Sequence, residues 1–488
     1  MPEARRFAAV DLGATSGRVV TGRLQDGRVV LEEAHRFPNR PLQLPDGLHW
    51  NLPQLFSEAL HGLRAAGRVD GVGVDTWGVD YGLLDAGGRL LGLPYHYRDA
   101  RTAAIVERAF ARVGQPELYA ATGIQTMPIN TVFQLLADEG SAALAAAERL
   151  ALIPDLLAYW LSGELANECT NASTTGLLDA RTGDWAHELI GRLGLPARLF
   201  ASLVPPGTSL GPLLAHHDLG APTVFTVASH DTASAFAAVP LRDAHSAVLS
   251  SGTWSLLGVE LSEPVLTEAA AEANLSNERG VDGTTRLLKN VMGMWLLEEC
   301  RRAWAAEGHD VTYETVIRLA GEVRGDAPVF DPDDESFLAP GDMPDRIAAA
   351  CARSGQAPPR EVAAIVRSIV VSLACKYRWV LERLEAVSGQ VLRRIHVIGG
   401  GARNAPLCQL TADLTGREVV AGPVEATALG NLLIQARAAG EIGTLADQRA
   451  VAAASADLVA YEPSADAAAE AMYRRFLDVS GLRAPTTA

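Results

Sequence analysis

The sequence predicts a protein of two α/β domains, and three features carry that prediction. The last third of the chain reads as a βαβα run, the pattern of a parallel sheet. Each half opens with a strand, a turn of small polar residues and a returning strand. The 488 residues suffice for two large domains, and no low-complexity linker separates the halves.

Phe7–Val10 reads as a strand ending in Asp11, followed by the turn Gly13-Ala14-Thr15-Ser16-Gly17 and a second strand, Arg18 to Leu24. Asp26-Gly27 is a hairpin signal leading to a third strand, Arg28–Leu31. Asn51 is placed to cap a helix with Pro53 in its first turn and Leu52, Leu55, Phe56, Leu60 and Leu63 as its apolar residues. A strand from Val69 to Val74 then ends in Asp75. The second opening is Ser246–Leu249, the turn Ser250-Ser251-Gly252-Thr253, and a strand from Trp254 to Val259. The boundary is expected in Pro240-Leu241-Arg242-Asp243, giving domains of residues 1–240 and 241–488. A helix from Glu361 to Val387 carries the stripe Val362, Ile365, Ile369, Leu373, Val380 and Leu384, and Gly389 ends it. Ile395–Ile398 is a strand running into Gly399-Gly400-Gly401, followed by a helix from Pro406, a strand Glu418–Ala421 and a helix Glu425–Ala439.

Composition narrows the function. The charge of −16 and 48 % apolar content describe an acidic globular body, which disfavours nucleic acid or anionic lipid as a partner. Five scattered cysteines lack metal-ligand spacing and read as reduced core thiols. With no apolar leader and no run of ~18 apolar residues, a cytoplasmic protein is expected. Lys289 and Lys376 are the only lysines, and neither sits in a Walker A or protein-kinase lysine context. A nucleotide site therefore has to be built another way.

Six segments carry candidate chemistry. Asp11 with the turn to Arg18 is either a polar hairpin or an anion cradle, with backbone N–H groups and hydroxyls for phosphate and Asp11 for Mg²⁺. The second hairpin at Thr253 favours a pair of phosphate clips. Gly399–Gly401, at a strand's C-terminal end before a helix, lets a ligand approach the backbone. Val224–Thr232 is an apolar strand that stops at Ser229-His230-Asp231-Thr232, where Asp231 is either a helix N-cap or the base that takes a proton from a substrate hydroxyl. Asp75-Thr76-Trp77-Gly78-Val79-Asp80-Tyr81-Gly82 offers an aromatic face and carboxylates suited to a sugar, or a Trp used in packing. Arg98, Asp99 and Arg101 read as a structural ion cluster or as substrate contacts.

Acid–Gly–Thr hairpins in duplicated domains resemble those of the actin and hexokinase-like ATPase superfamily. Within it, the segments VDLGATSGRV, DTWGVDYGLLD, LPYHYRDART, ASHDTASA, SSGTWSLLG, LKNVMGMWLLEE, IHVIGGGARN and AGPVEATALGN resemble the FGGY carbohydrate kinases from residue 9 to about 431. The resemblance implies two ribonuclease-H-like domains with a catalytic cleft between them, sugar and phosphate binding in the first and nucleotide binding in the second. It implies phosphoryl transfer from ATP, with Mg²⁺, to O1 of a ketose, L-rhamnulose. Carried over by motif, Asp231 is the proton acceptor, and Gly78, His230, Thr232 and Asn290 contact the sugar. Ala14, Thr15, Ser16, Gly17, Arg18 and Thr253 take the ATP phosphates, and Gly401 and Glu298 lie near the nucleotide. Glu298 stands where a family member carries Gln, and a carboxylate there disfavours phosphate unless it turns away or is paired. A kinase for another ketose or polyol, a non-kinase actin-like ATPase and an inactive sugar-binding regulator are the competing readings.

Overall fold

The computed structural model describes residues 5–241, 243–309, 311–322, 327–464 and 467–484. Arg242 of the expected boundary stretch and residues 485–488 of the tail lie outside the described residues. By contacts the chain divides into two compact units. One comprises the chain up to Pro240, Glu260–Leu287 and Ala426–Ala456; the other comprises Leu241–Val259, Leu288–Glu425 and the chain from Asp457.

The first unit is built on six strands: β1 (Arg6–Leu12), β2 (Ser16–Gln25), β3 (Arg28–Pro38), β4 (Gly71–Thr76), β5 (Ser209–Pro212) and β6 (Thr223–Phe225), in the order β5-β6-β4-β1-β2-β3. β1, β2 and β3 form an antiparallel meander, while β4 and β6 run parallel to β1. β1 and β4 are almost wholly buried, which is why they read as unbroken apolar runs. The edge strand β3 extends well past the expected Leu31, because its polar, mostly exposed residues give no apolar signal to follow.

Helix α1 (Leu52–Ala66) starts where expected, but the Asn51 side chain does not cap it; its amide donates to Gln54 Oε1 at 2.7 Å. Phe56 and Leu60 are only half-buried, and Ala59 and Gly62 take the inner face instead. Gly62 fits because a Cβ there would stand 2.4 Å from Val19 Cγ2. Helix α2 (Asp231–Ala237) follows β6.

The second sheet contains β7 (Ser246–Ser251), β8 (Trp254–Leu261), β9 (Ser276–Arg279), β10 (Thr285–Met292), β11 (Arg394–Ile398), β12 (Glu418–Ala421) and β13 (Val459–Tyr461), ordered β9-β10-β8-β7-β11-β12-β13. The hairpin β7–β8 beside parallel β11 and β12 repeats the β1–β2, β4, β6 arrangement. Among the helices of the second unit are α3 (Trp295–Ala306), α4 (Val362–Ser388) and α5 (Ala405–Thr415). α4 ends at Gly389, in the left-handed conformation. Five of its six expected stripe residues are buried and Val362 is half-buried; Val366, Val370, Val371, Tyr377 and Leu381 are buried too. α4 is therefore covered on several sides, not along one seam. Cys300, Cys351, Cys375 and Cys408 are buried free thiols, and Cys169 is half-buried.

Helix α6 (Ala426–Ala438) returns to the first unit and packs against α2, where Ala233, Ala237, Val227, Val281 and Ile434 share a small core. Gly430 sets how closely the helices approach, since a Cβ there would lie 1.8 Å from Ser234 O.

Trp77 is a core residue, so of its two readings the structure supports packing and not an open platform for a sugar. It is 6 % exposed and stacks on Trp50 with ring centroids 3.9 Å apart, and His96 lies 4.0 Å from the Trp50 ring. Asp80, expected as a sugar acceptor, is consumed internally. Its Oδ2 accepts from Trp50 Nε1 at 2.6 Å, Trp77 Nε1 at 2.9 Å and Tyr97 N at 3.2 Å, and its Oδ1 accepts from Gln134 Nε2 at 2.8 Å. Arg101 and Asp99 are also structural: Arg101 pairs with Asp138 and lies over Tyr95, while Asp99 accepts from Arg101 N and Leu48 N.

Two predictions follow from this packing. Gly430→Ala is expected to lower stability by about 1–3 kcal/mol in urea unfolding, although alanine is the better helix former by about 1 kcal/mol. An unchanged midpoint would show that α2 and α6 separate freely. The second concerns protons. Burial pushes Asp80 up to about 7 despite its four hydrogen bonds, and burial, aided by Arg98, pushes His96 down to about 3. From the unfolded carboxylate range near ~3.9 up to 7, the folded state keeps a proton on Asp80 that the unfolded chain has lost, so this contribution falls as pH rises. His96 acts oppositely, because below ~6.5 the unfolded chain takes up a proton that the folded state refuses. Asp80→Asn leaves the His96 effect unopposed. Stability between pH 4.5 and 6.5 should then rise more steeply with pH than in the parent, by about 1.4 kcal/mol per pH unit, and equal slopes would refute the assignment.

Candidate active site

In the first unit, the C-terminal ends of the parallel strands bring Asp11, Asp75 and His230-Asp231 together. Asp11 is the register partner of Arg18 across the β1–β2 hairpin and of Asp75 across β1–β4, while Thr76 bridges to His230. Ligands of open α/β sheets bind at such strand ends. The Arg18 guanidinium donates to Asp11 Oδ2 from Nε at 2.9 Å and Nη2 at 2.7 Å. The turn between the strands closes with Gly13 N donating to Ser16 O at 2.8 Å. Asn39 braces it, donating from its backbone to Thr15 O and from its side chain to Gly13 O. Gly17 is confined by packing, because a Cβ would meet the Phe37 ring at 2.4 Å. Arg18, expected to face phosphate, is thus held by Asp11, the expected metal carboxylate.

Asp75, read from the sequence as a strand end and as one carboxylate of the candidate sugar segment, is a member of this cluster. It is fully buried and accepts from Asn431 Nδ2 at 2.5 Å; Asn431 in turn accepts from Gln435 Nε2, which also donates to Ala8 O. Gly73 makes room for this chain of amides, since a Cβ would stand 2.7 Å from Asn431 Oδ1. Burial, Asp11 and Asp231 together push Asp75 well above the usual carboxylate range, against the Asn431 hydrogen bond.

Asp231 occupies the first turn of α2, with His230 as the N-cap residue; the Asp231 side chain is therefore not the N-cap. Burial raises Asp231 above its ordinary value, with Asp11 adding to the shift and His230 and Thr232 opposing it. Thr232 Oγ1 donates to Asp231 Oδ1 at 3.1 Å, and His230 Nε2 lies 3.5 Å from the same oxygen. The segment is clamped from behind by Glu168, whose Oε2 accepts from Ser229 N at 3.0 Å, Ser229 Oγ at 2.8 Å and Thr170 Oγ1 at 2.6 Å. Asn171 Nδ2 donates to the carbonyls of Trp77 and Ser229 and joins the two loops. Glu168 and Asn171 carry no local motif that would mark them in the sequence.

Gly78 sits under Thr174, whose Oγ1 would be 2.9 Å from a Cβ. The next residue, Val79, has φ +68, an unfavourable conformation for a β-branched side chain. It persists because Thr174 Oγ1 accepts from Val79 N at 3.0 Å and Thr131 Oγ1 donates to Val79 O at 2.6 Å. Strain of this kind fixed by neighbours is typical of loops that present backbone to a ligand.

In the second unit, Gly252 N donates to Trp254 O at 2.8 Å to close the β7–β8 turn, and the carbonyls of Gly252 and Thr253 accept from Met294 N and Trp295 N at the start of α3. Gly293 fits only without a side chain, because a Cβ would come within 2.7 Å of Ser255 N. The glycine run after β11 lies against this hairpin. A Cβ on Gly401 would be 2.0 Å from Ser251 Oγ and one on Gly399 3.1 Å from Ser251 O, while Gly400 faces open space. Gly401 is thus required for packing, and Gly400 leaves the loop accessible. Asn404 Oδ1 caps α5, accepting from Leu407 N at 3.1 Å. Asn290 lies half-buried on β10. Glu298, on α3, pairs with Arg301 Nη1 at 2.8 Å, so its charge is compensated one turn along the helix.

Comparison with known proteins sets these features in a family. The chain matches the FGGY carbohydrate kinase N-terminal domain over residues 7–238 and the C-terminal domain over residues 247–439. It is 43 % identical over 482 residues to a rhamnulokinase of Bacteroides thetaiotaomicron, covering 97 % of this chain and 99 % of that protein. It is 40 % identical over 492 residues to a rhamnulokinase of Enterococcus faecalis, covering 98 % and 99 %. Solved structures of similar fold include gluconate kinase from Lactobacillus acidophilus, with TM-score 0.79 at 16 % identity over 99 % of each chain. Plasmodium falciparum glycerol kinase with ADP gives TM-score 0.76 at 14 % identity, again over 99 % of each chain. These likenesses show that the chain shares the fold of these kinases. With both family domains matched in order and relatives of 40–43 % identity along nearly its full length, the chain belongs to the FGGY family of carbohydrate kinases.

Proposed function

We propose that this kinase transfers the γ-phosphoryl group of ATP to O1 of L-rhamnulose, giving L-rhamnulose 1-phosphate and ADP, as a cytoplasmic step of L-rhamnose breakdown. The observation that carries the substrate is the full-length match to rhamnulokinases at 40–43 % identity. The site geometry supports the chemistry. Asp231 is the proton acceptor: as O1 bonds to phosphorus, its proton passes to the carboxylate and the bond to the ADP oxygen breaks. Burial and Asp11 raise the proton affinity of Asp231, which favours that transfer, and Glu168 holds the segment it sits on.

In this reading the first domain, 1–240, binds sugar and phosphate, and the second, 241–488, binds nucleotide. Gly78, His230, Thr232 and Asn290 orient the ketose. Ala14, Thr15, Ser16, Gly17, Arg18 and Thr253 take the phosphates through backbone N–H groups and hydroxyls. Gly401 and Glu298 flank the nucleotide, with Arg301 offsetting the Glu298 charge.

The residues at Asp11 fit Mg²⁺. Asp11, Asp75 and Asp231 repel one another, Arg18 pairs with Asp11 at 2.7 Å, and a hard oxygen-binding cation suits such a set. Among the described residues no group of three or more His, Cys, Asp or Glu is arranged to hold a metal unaided, which matches an ion brought largely by phosphate oxygens and water. Held by Asp11, it would neutralise charge on the transferring phosphates.

The substrate is tested by ADP release with Mg-ATP against L-rhamnulose, L-fuculose, D-xylulose, L-ribulose, glycerol and no sugar. We expect kcat/KM for L-rhamnulose at least ~10-fold above every other, a gap of about 1.4 kcal/mol in transition-state binding. Preference for another ketose would overturn the substrate and leave the kinase assignment standing. For the mechanism, Asp231→Ala is expected to lower kcat by ~10²-fold or more while ATP affinity by calorimetry stays close to the parent. Near-normal turnover would remove Asp231 from the role of base.

A further inference from the structure

We propose that Glu278 and Arg286 are positioning residues that hold the His230 imidazole with its proton on Nε2, aimed at Asp231 Oδ1, and thereby leave Oδ2 as the oxygen of Asp231 that takes the substrate proton. The proposal rests on Asp231 as the base. It starts from a buried ion pair behind the site that the sequence motifs do not reveal. Glu278 on β9 and Arg286 on β10 face each other across a short turn, with Arg286 Nη2 3.1 Å from Glu278 Oε2; Arg286 is fully buried and Glu278 is 3 % exposed. Arg286 Nε donates to Arg279 O at 3.1 Å, and Ser276 Oγ donates to Glu278 Oε1 at 3.2 Å, so each partner is anchored on a second side. Burial alone would push the Glu278 carboxyl up, but the charge of Arg286 holds it below the usual carboxylate range, and the pair stays charged.

His230 Nδ1 is 3.3 Å from Arg286 Nη2 and 3.3 Å from Glu278 Oε2. A guanidinium only donates, so Nδ1 meets the Arg286 N–H as an acceptor, and the ring proton belongs on Nε2. Placing the proton on Nδ1 instead would set an N–H against the guanidinium and turn the bare Nε2 lone pair toward an anionic oxygen 3.5 Å away. With the proton on Nε2, the hydrogen bond from Arg286 and the contact with Asp231 Oδ1 both have the right sign, and these two outweigh the one opposed contact, that of the bare Nδ1 with Glu278 Oε2. Glu278 orients Arg286, Arg286 orients the ring, and the ring joins Thr232 in engaging Oδ1. One oxygen of Asp231 is then occupied and the other is available for proton transfer.

The test is side-chain ¹⁵N NMR of the full chain labelled at histidine, at pH 8, with the His230 signals assigned by their loss in His230→Gln. The expected wild-type result is the form protonated on Nε2; a proton on Nδ1 overturns the proposal without any variant. In Arg286→Met the proton should move to Nδ1, toward Glu278, and kcat should fall at least ~10-fold with ATP affinity unchanged, while Arg286→Lys restores part of both. The double variant Glu278→Leu/Arg286→Met removes both buried charges together, so an effect of one unpaired charge on folding does not obscure the result. Loss of turnover with an unmoved ring proton would make the pair merely structural and also overturn the proposal, as would full turnover in either variant. A wild-type protein that phosphorylates no sugar would instead sink the kinase substrate reading, and the NMR result on that same protein would still decide the tautomer.

Discussion

Three carboxylates, Asp11 and Asp75, which are buried, and Asp231, which is half-buried, lie within electrostatic reach of one another, and much of the first unit is arranged around the cost of keeping them there. An ionised carboxylate removed from water costs several kcal/mol unless it is paired or hydrogen-bonded. Each of the three meets that cost differently. Asp11 takes a guanidinium through two N–H groups. Asp75 is pushed toward its neutral form and takes an amide. Asp231 sits in the first turn of a helix, where the dipole favours negative charge, and accepts from a hydroxyl. Several glycines then follow as consequences. Gly73 admits Asn431, and Gly430 lets the helix carrying Asn431 lie against the helix that carries Asp231.

The two hairpins share a topology and differ in charge. In the first, an acid and an arginine face each other across the strands. In the second, the turn is Ser251-Gly252-Thr253, and its carbonyls start a helix while its serine is pressed by a glycine run. The same strand order thus supports a charged end in one unit and a neutral, backbone-rich end in the other.

What could be read from the sequence followed the range of the interactions. The hairpins, Asp11, Asp231 and the glycine run are signalled within a few residues by turn chemistry and strand periodicity; the apolar strands formed close to their expected positions, whereas the polar length of β3 and the strands β5, β9, β10 and β13 gave no such signal. Asp75–Asn431 joins residues from β4 and α6, and no local pattern links them. Glu168, Glu278 and Arg286 look like ordinary surface charges in the sequence and are buried only because a ring of partners waits for them. Trp77 was ambiguous for a different reason. A tryptophan among glycines looks the same whether its face is open or covered, and here Trp50, from before α1, covers it.

The two lysines show how far this sorting of charge by geometry extends. The chain has forty arginines and two lysines, and both lysines are buried in the second unit beside Asp331 and Asp333. Lys376 Nζ reaches Asp331 Oδ1 at 2.8 Å and Asp333 Oδ2 at 3.0 Å, a bridging position that suits a compact ammonium better than a planar fork. Lys289 is held down to about 8 by burial, with Lys376 also opposing its charge and Asp333 and Asp331 favouring it. Asp333 Oδ1 in turn accepts from Met292 N at the end of β10, one residue before the glycine that packs on the second hairpin. Arginine is used where two N–H groups must meet one carboxylate, as at Asp11. Lysine is kept where one cation must serve two carboxylates in a closed space, and that choice fixes the strand leading into α3.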